Sequence, residues 1–290
     1  VFSKNRRLAC LVTSALAVIS LAGCADGGAG KNGALQVSGS TTVAPVAADA
    51  AQALKADGLD ITVATQGGSA GGISQLASGQ ISIAMTSKPL AEEDKAANSS
   101  TDFLSTQIGA DAVGIIVTKQ VADAGVKNLT AAQVRDLFEG KITNWSELGG
   151  PDLDVFVYDK EPGRGTREVL DKYIYGDEKA PPPPESDNFA IVGGNLETRN
   201  KLESTPGAVA PLSTSFVEGR KGLAAVTLDG VEPSPENIAS GKYPMARPLY
   251  LLTDGKPEGT AKKFIDYVLS SKGQALMTKH GYLTLKQIGE

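Results

Sequence analysis

The chain is poor in the residues that carry reactive chemistry. Of its 290 residues two are cysteine, one is histidine and one is tryptophan, and aromatic side chains make up only 5%. Both cysteines, Cys10 and Cys24, fall within the first 24 residues. The body beyond them can therefore build no disulfide, cysteine metal site or thiol nucleophile. A single histidine, His280, with scattered carboxylates gives no metal-ligand spacing, and no Gly-x-Gly-x-x-Gly stands in a strand-to-helix setting, so neither a metal nor a cofactor is implied. Positive charge is also outweighed: 28 Lys and Arg face 33 Asp and Glu, a formal net charge of -5, which argues against nucleic acid as a partner. Apolar residues, by contrast, reach 41%. That content supports a true core, and the length beyond Cys24 suits one large domain or two modest lobes.

The first residues read as an address. Lys4, Arg6 and Arg7 precede an apolar stretch from Leu8 to Leu21, closed by Leu21-Ala22-Gly23-Cys24. The stretch falls short of the roughly 20 apolar residues of a membrane-spanning helix, and a signal peptide over residues 1–23 is expected. Its end resembles the lipobox of bacterial lipoproteins, which implies a diacylglycerol on Cys24 and anchoring to the cell membrane through two or more acyl chains such as palmitate. A plain secretory signal with an incidental cysteine is the alternative. Residues 24–33, rich in Gly and Ala, read as a flexible tether. From Cys24 onward 25 Lys and Arg face 33 Asp and Glu, a formal charge of -8.

Strands and helices then alternate. Leu35-Gln36-Val37, Leu59 to Ala64, Ile81 to Met85 and Ala112 to Thr118 read as strands, with helices from Val43 to Ala56 and from Ile73 to Ser78. Farther on, a helix is expected from Thr130 to Phe138 with Thr130 as its N-cap, a strand from Leu153 to Tyr158 and a helix from Arg167 to Tyr175. Pro181 to Pro184 reads as an exposed polyproline II loop. Gly207 to Ser215, Leu223 to Leu228 and Pro248 to Leu252 supply further strands, and Thr260 to Leu269 with Gly273 to His280 the closing helices. Such alternation predicts an α/β architecture with a mostly parallel sheet, binding its ligand beyond the carboxyl ends of strands.

Three segments between a strand and a helix share one composition: Ser38-Gly39-Ser40-Thr41-Thr42, Gly67-Gly68-Ser69-Ala70-Gly71-Gly72 and Gly163-Arg164-Gly165-Thr166-Arg167. A helix N-terminus presents unpaired N–H donors and about half a positive charge, and glycine admits a ligand close to the backbone. Hydroxyls add donors. Ordinary caps and turns use the same residues, but three such turns in one chain point to a shared cleft for a small tetrahedral anion.

Several runs together resemble the phosphate-binding lipoproteins of the Pst-type ABC transporter: Gly39-Ser40-Thr41-Thr42-Val43-Ala44-Pro45, Gly68-Ser69-Ala70-Gly71-Gly72-Ile73, Thr86-Ser87-Lys88-Pro89-Leu90, Gly140-Lys141-Ile142-Thr143-Asn144-Trp145 and Gly273-Gln274-Ala275-Leu276. The resemblance implies a two-lobed, type II periplasmic-binding-protein fold, each lobe a mixed sheet flanked by helices with a hinge between. The expected lobes are 34–117 plus 247–290, and 118–246. Ser40, Thr41, Thr42 and Ser69 would bind phosphate from one lobe, and Gly165 and Thr166 from the other. Delivery would be to membrane permease subunits driven by a cytoplasmic ATPase, by a monomer held outside the cytoplasm.

Two departures stand out. Some members of that family carry Asp where this chain has Ser87, which makes Asp111 the candidate acceptor for the proton of phosphate. Where the family loop commonly reads Arg-Glu-x-Gly-Ser-Gly-Thr-Arg, this chain has Lys160-Glu161-Pro162-Gly163-Arg164-Gly165-Thr166-Arg167. Lys does not replace Arg at a bidentate site, so a guanidinium is expected from Arg164 or Arg167. Other oxyanions (sulfate, molybdate, arsenate), a phosphate sensor and an adhesin are alternatives. A more distant one is a serine hydrolase using Ser69 in Gly67-Gly68-Ser69-Ala70-Gly71, with Asp254 or Asp266 and His280.

Overall fold

The computed structural model describes residues 34–290; the expected signal peptide and tether, with Cys24, lie outside the described residues. Residues 34–290 form one compact unit. The chain begins with β1 (Leu35–Gly39), α1 (Ala44–Lys55), β2 (Ile61–Ala64), α2 (Gly68–Ala77), β3 (Ile83–Thr86) and α3 (Glu92–Ala97). β4 (Phe103–Thr118) follows, then α4 (Lys119–Asp123), β5 (Asn128–Leu129), α5 (Ala131–Phe138), β6 (Phe156–Lys160) and α6 (Gly165–Tyr175). Next come β7 (Phe189–Val192), α7 (Asn195–Ser204), β8 (Ala208–Ser213), β9 (Leu223–Ala225), β10 (Thr227–Leu228) and α8 (Pro235–Ala239). The chain closes with β11 (Ala246–Asp254), α9 (Gly259–Leu269), α10 (Ser271–Lys279) and α11 (Leu285–Ile288).

Among the described residues nine strands make one continuous sheet in the order β2-β1-β3-β11-β4-β8-β6-β7, with β9 also on β4, and β5 pairs β10 apart from it. The sheet is mixed rather than mostly parallel. β1 runs parallel to β2 and β3, and β6 parallel to β7 and β8, but β4 and β11 are antiparallel to all their neighbours. The reason is β4: its first ten residues pair with β11 and its last six with β8 and β9. A strand of 16 residues is long enough to serve two sheets, and only its apolar second part stands out by composition.

Two lobes result, each around its own apolar core. In one, Val46, Ala47, Ala50 and Leu54 of α1 pack with Val37, Met85, Leu251, Phe264 and Val268. In the other, Val113, Ile115, Val134, Leu137, Trp145, Leu170 and Val209 form the largest cluster. Fully burying the Val, Leu, Ile, Met and Phe side chains among these stabilises by about 1.5–3 kcal/mol each. The expected cap of α5 is present: Thr130 Oγ1 accepts from Gln133 N at 3.2 Å.

Two of the family-like runs belong to this scaffold. Trp145 is fully buried and its indole N–H donates to Gly207 O at 2.8 Å. Gly273 sits where α9 meets α10, and a Cβ there would lie 2.2 Å from Tyr267 O, so only glycine fits. Pro181 to Pro184 form no regular element, as the exposed loop reading expected.

Candidate functional site

Four helices of ten or more residues direct their N-termini at one small cavity between the lobes. α1 contributes Ser40, Thr41 and Thr42 from the turn ahead of it, and α2 contributes Gly68 and Ser69. From the other lobe α6 contributes Arg164, Gly165 and Thr166, and α7 contributes Gly193 and Asn195; Ser87 and Lys160 complete the wall. The cavity holds about 210 Å³ of empty space, open mouth included. Converging N–H dipoles with glycine at the walls make an anion cradle.

Local sequence explains why these helices begin where they do. Gly67 and Gly68 adopt φ of 70° and 61°, a left-handed conformation that suits glycine. The chain thus turns into α2 immediately, and Ser69 to Gly72 are helical rather than turn. α6 likewise starts at Gly165, two residues ahead of the expectation, so Gly165 and Thr166 form its first turn. A Cβ on Gly165 would stand 2.6 Å from Ser87 Oγ and 2.9 Å from Ser69 Oγ, so glycine here keeps the floor open.

Hydrogen bonds fix the hydroxyls. Ser40 Oγ accepts from Thr42 N at 3.2 Å, and Ser69 Oγ accepts from Ser87 N at 3.2 Å. Thr42 Oγ1 accepts from Asn195 Nδ2 and from Arg247 Nη2, each at 2.9 Å, and Thr166 Oγ1 accepts from Arg247 Nη1 at 3.0 Å. Arg247 thus holds one hydroxyl from each lobe. Its charge is met by Asp111, whose Oδ2 accepts from Nη2 at 2.7 Å and from Nε at 3.0 Å.

Asp111 therefore does not line the cradle: the structure places it behind Arg247, where Ser213 Oγ also donates to it at 2.8 Å. Arg167 is likewise outside, one helical step past Thr166. It faces the opposite side of α6, paired with Asp159 and, at 2.8 Å, with Asp171. Arg164 does reach the cradle, with its Nε donating to Glu161 Oε2 at 2.9 Å. Its methylenes lie over Gly68, where a Cβ would meet Arg164 Cδ at 2.7 Å, so this side chain crosses between lobes. Lys160 is buried, and its ammonium donates to Thr198 Oγ1, to Gly193 O and to Asn195 Oδ1. Burial, then the charges of Arg164 and Arg247, pull its pKa down to about 7.

Arg247 and Asn195 are absent from the sequence reading. Arg247 sits in Ala246 to Asp254 with nothing around it to mark it. Asn195 had a usable signal, because Gly193-Gly194-Asn195 follows the apolar Phe189 to Val192 as the other glycine turns follow their strands.

The hydrolase constellation does not assemble. Ser69 Oγ pairs with Ser87, whereas His280 Nε2 lies 2.9 Å from Asp49 Oδ2 in a separate surface groove. Asp266 is taken by Lys262 at 2.5 Å, and Asp254 accepts from Asp102 N at 2.8 Å.

Two mixed α/β lobes facing each other across an anion cradle are the architecture of the periplasmic type of solute-binding protein, and the family model for the PBP superfamily domain matches residues 25–272. The phosphate-binding protein PstS of Bacillus subtilis is 30% identical over 296 residues, covering 97% of this chain and 94% of the relative. A substrate-binding protein of a phosphate ABC transporter from Clostridium perfringens, solved with bound phosphate, superposes with a TM-score of 0.76. It is 31% identical, with 87% of this chain and 99% of that one covered. An ABC-type phosphate transport receptor from Vibrio cholerae gives a TM-score of 0.69 at 27% identity, covering 86% and 99%. The chain belongs to the Pst-type phosphate-binding protein family, a family of solute-binding proteins rather than enzymes.

Proposed function

We propose that the protein captures inorganic phosphate outside the cytoplasm and hands it to the permease subunits of an ABC importer. The observation that carries this reading is the convergence of four helix N-termini, two from each lobe, on a cavity sized for a small anion. Ser40, Thr41, Thr42, Ser69 and Ser87 act from one lobe and Arg164, Gly165 and Thr166 from the other, with Lys160 and Asn195 added. Asp111 and Arg167 act from behind, Asp111 by fixing Arg247 and Arg167 by anchoring α6. The lobes divide near residues 112/113, five residues ahead of the expected 117/118, and near 246/247, where β4 leaves β11 for β8 and β11 begins. Relatives named for phosphate binding and transport support the same cargo.

Calorimetric titration of the purified full chain with sodium phosphate tests the reading. Saturable one-site binding with a Kd below about 10 μM is expected, and absence of binding at millimolar phosphate sinks it. The address belongs to the same proposal: the protein works as a monomer tethered through a lipid on Cys24. Metabolic labelling with an alkyne fatty acid should mark the protein and lose the mark in Cys24→Ala; equal labelling of the variant would defeat the anchor.

A further inference from the structure

The walls of the cradle are unusual in what they offer a bound anion. None of the lining residues carries a carboxylate. The carboxylates around it are engaged elsewhere: Asp111 by Arg247, Glu161 by Arg164, and Glu197 by Gly193 N at 3.0 Å. Neutral oxygens are engaged as well. A hydroxyl has two lone pairs and one hydrogen. Both lone pairs of Thr42 Oγ1 receive protein donors, and Ser40 Oγ receives two backbone N–H groups. Ser69, Ser87 and Thr166 each already accept at least one bond, at 3.2, 3.4 and 3.0 Å. Asn195 Oδ1 receives Lys160 at 3.4 Å. Toward the centre these groups have hydrogens left to give, alongside the N–H groups of the helix ends and the charges of Lys160 and Arg164. Any acceptor capacity left on Thr41, Ser69, Ser87 and Thr166 belongs to neutral hydroxyls, which turn to donate as readily as to accept and do not repel a dianion.

From this we infer that the site selects its ligand by charge and tetrahedral shape, not by whether the anion carries a proton, and that it binds sulfate alongside phosphate. The inference rests on the phosphate reading of the same cradle and deepens it. A site that rejects an analogue lacking a hydroxyl by several orders of magnitude does so because a dedicated acceptor would be left buried and unpaired. Here no ionised acceptor waits for the proton of hydrogen phosphate, and nothing negative faces the fully ionised sulfate. Both dianions meet the same donors.

Titration of the full chain, dialysed free of bound anion, with sodium phosphate and with sodium sulfate at pH 7 tests this. The expected result is a sulfate Kd within about a hundredfold of the phosphate Kd, a gap of about 2.8 kcal/mol. Phosphate binding with sulfate weaker than that overturns the inference and leaves the phosphate reading standing. Binding of neither anion overturns both. A second arm uses Ser87→Asp, which puts a carboxylate on the wall: the ratio of sulfate to phosphate Kd should rise at least tenfold, and an unchanged ratio would also overturn the inference.

Discussion

Arg247 and Asp111 stand directly opposite each other on antiparallel β11 and β4, and each side chain is only 1% exposed. The pair sits on the two strands that join the lobes. From there its guanidinium reaches Thr42 on one side and Thr166 on the other. Removing either partner leaves a buried charge uncompensated, which costs about 3–5 kcal/mol. Asp111→Asn and Arg247→Met should each lower stability in urea denaturation by that order. The double variant Asp111→Asn with Arg247→Met should lose less than the sum of the single losses, because no charge remains to be stranded. Additive losses would show that the two charges are not coupled.

How much of this was legible beforehand differs by residue. The glycine turns announced α1, α2 and α6 because glycine with Ser or Thr between a strand and a helix has a local cause that composition records. Arg247 has no such cause. Its role comes from lying in register with Asp111 across residues 136 apart in sequence, and register between distant strands is set by the whole sheet. Asp111, expected to accept the proton of phosphate, instead accepts from Arg247, a partner hidden from the sequence for the same reason. Arg164 and Arg167 illustrate the helix period: three residues apart where the helix was expected to start only at Arg167, both are candidates, but once α6 begins at Gly165 the second turns away toward Asp159 and Asp171. The antiparallel pairs were missed because the first part of β4, Phe103 to Gln107, is too polar to read as a strand.

Lys160 makes anion binding depend on pH. Its native pKa of about 7 lies below the ordinary value of 10.5. Between those two values the unfolded chain binds more protons than the empty native protein, so this group makes the empty protein gain stability as pH rises from about 7 to 10.5. An anion in the cradle favours the ammonium and raises the pKa again. Binding then takes up a proton, and the ratio of wild-type to Lys160→Gln affinity for phosphate should fall by up to about tenfold per pH unit above pH 7. Taking the ratio cancels the titration of phosphate itself. A ratio flat from pH 6 to pH 9 would refute the assignment.

Lys88 ties the lobes together at the rim. It lies just after β3, and its ammonium is 2.8 Å from Asp94 Oδ2 at the start of α3 and 2.9 Å from Glu168 Oε2 on α6 in the opposite lobe. Burial acts to lower its pKa, but the two carboxylates outweigh burial and the net shift is upward. For Glu168 burial prevails over Lys88 and raises the carboxyl. Glu168 is 38% exposed, so the contact contributes no more than about 1 kcal/mol. Glu168→Gln should therefore speed phosphate release by about two- to fivefold in stopped-flow measurements, and the effect should shrink as ionic strength screens the pair. Unchanged release at low salt would remove Lys88 and Glu168 from the closing contacts.

The most severe single change expected at the site is one methyl group. Gly165→Ala would place a Cβ 2.6 Å from Ser87 Oγ, 2.9 Å from Ser69 Oγ and 3.0 Å from Ser87 O. The serine hydroxyls have rotamers to escape into, but Ser87 O is backbone held between β3 and the turn after it, so the methyl keeps α6 from approaching. Alanine itself suits the first turn of a helix, and φ at Gly165 is not among the positive values that demand glycine. The fold of each lobe should therefore survive while their approach does not. Phosphate affinity should drop at least a hundredfold, about 2.8 kcal/mol, with the melting temperature of the phosphate-free protein within a few degrees of wild type and little further rise on adding phosphate. A variant that binds normally would mean that the lobes need not meet at Gly165 to hold the anion. A variant that fails to fold would mean that the contact between Gly165 and Ser87 belongs to the scaffold rather than to closure.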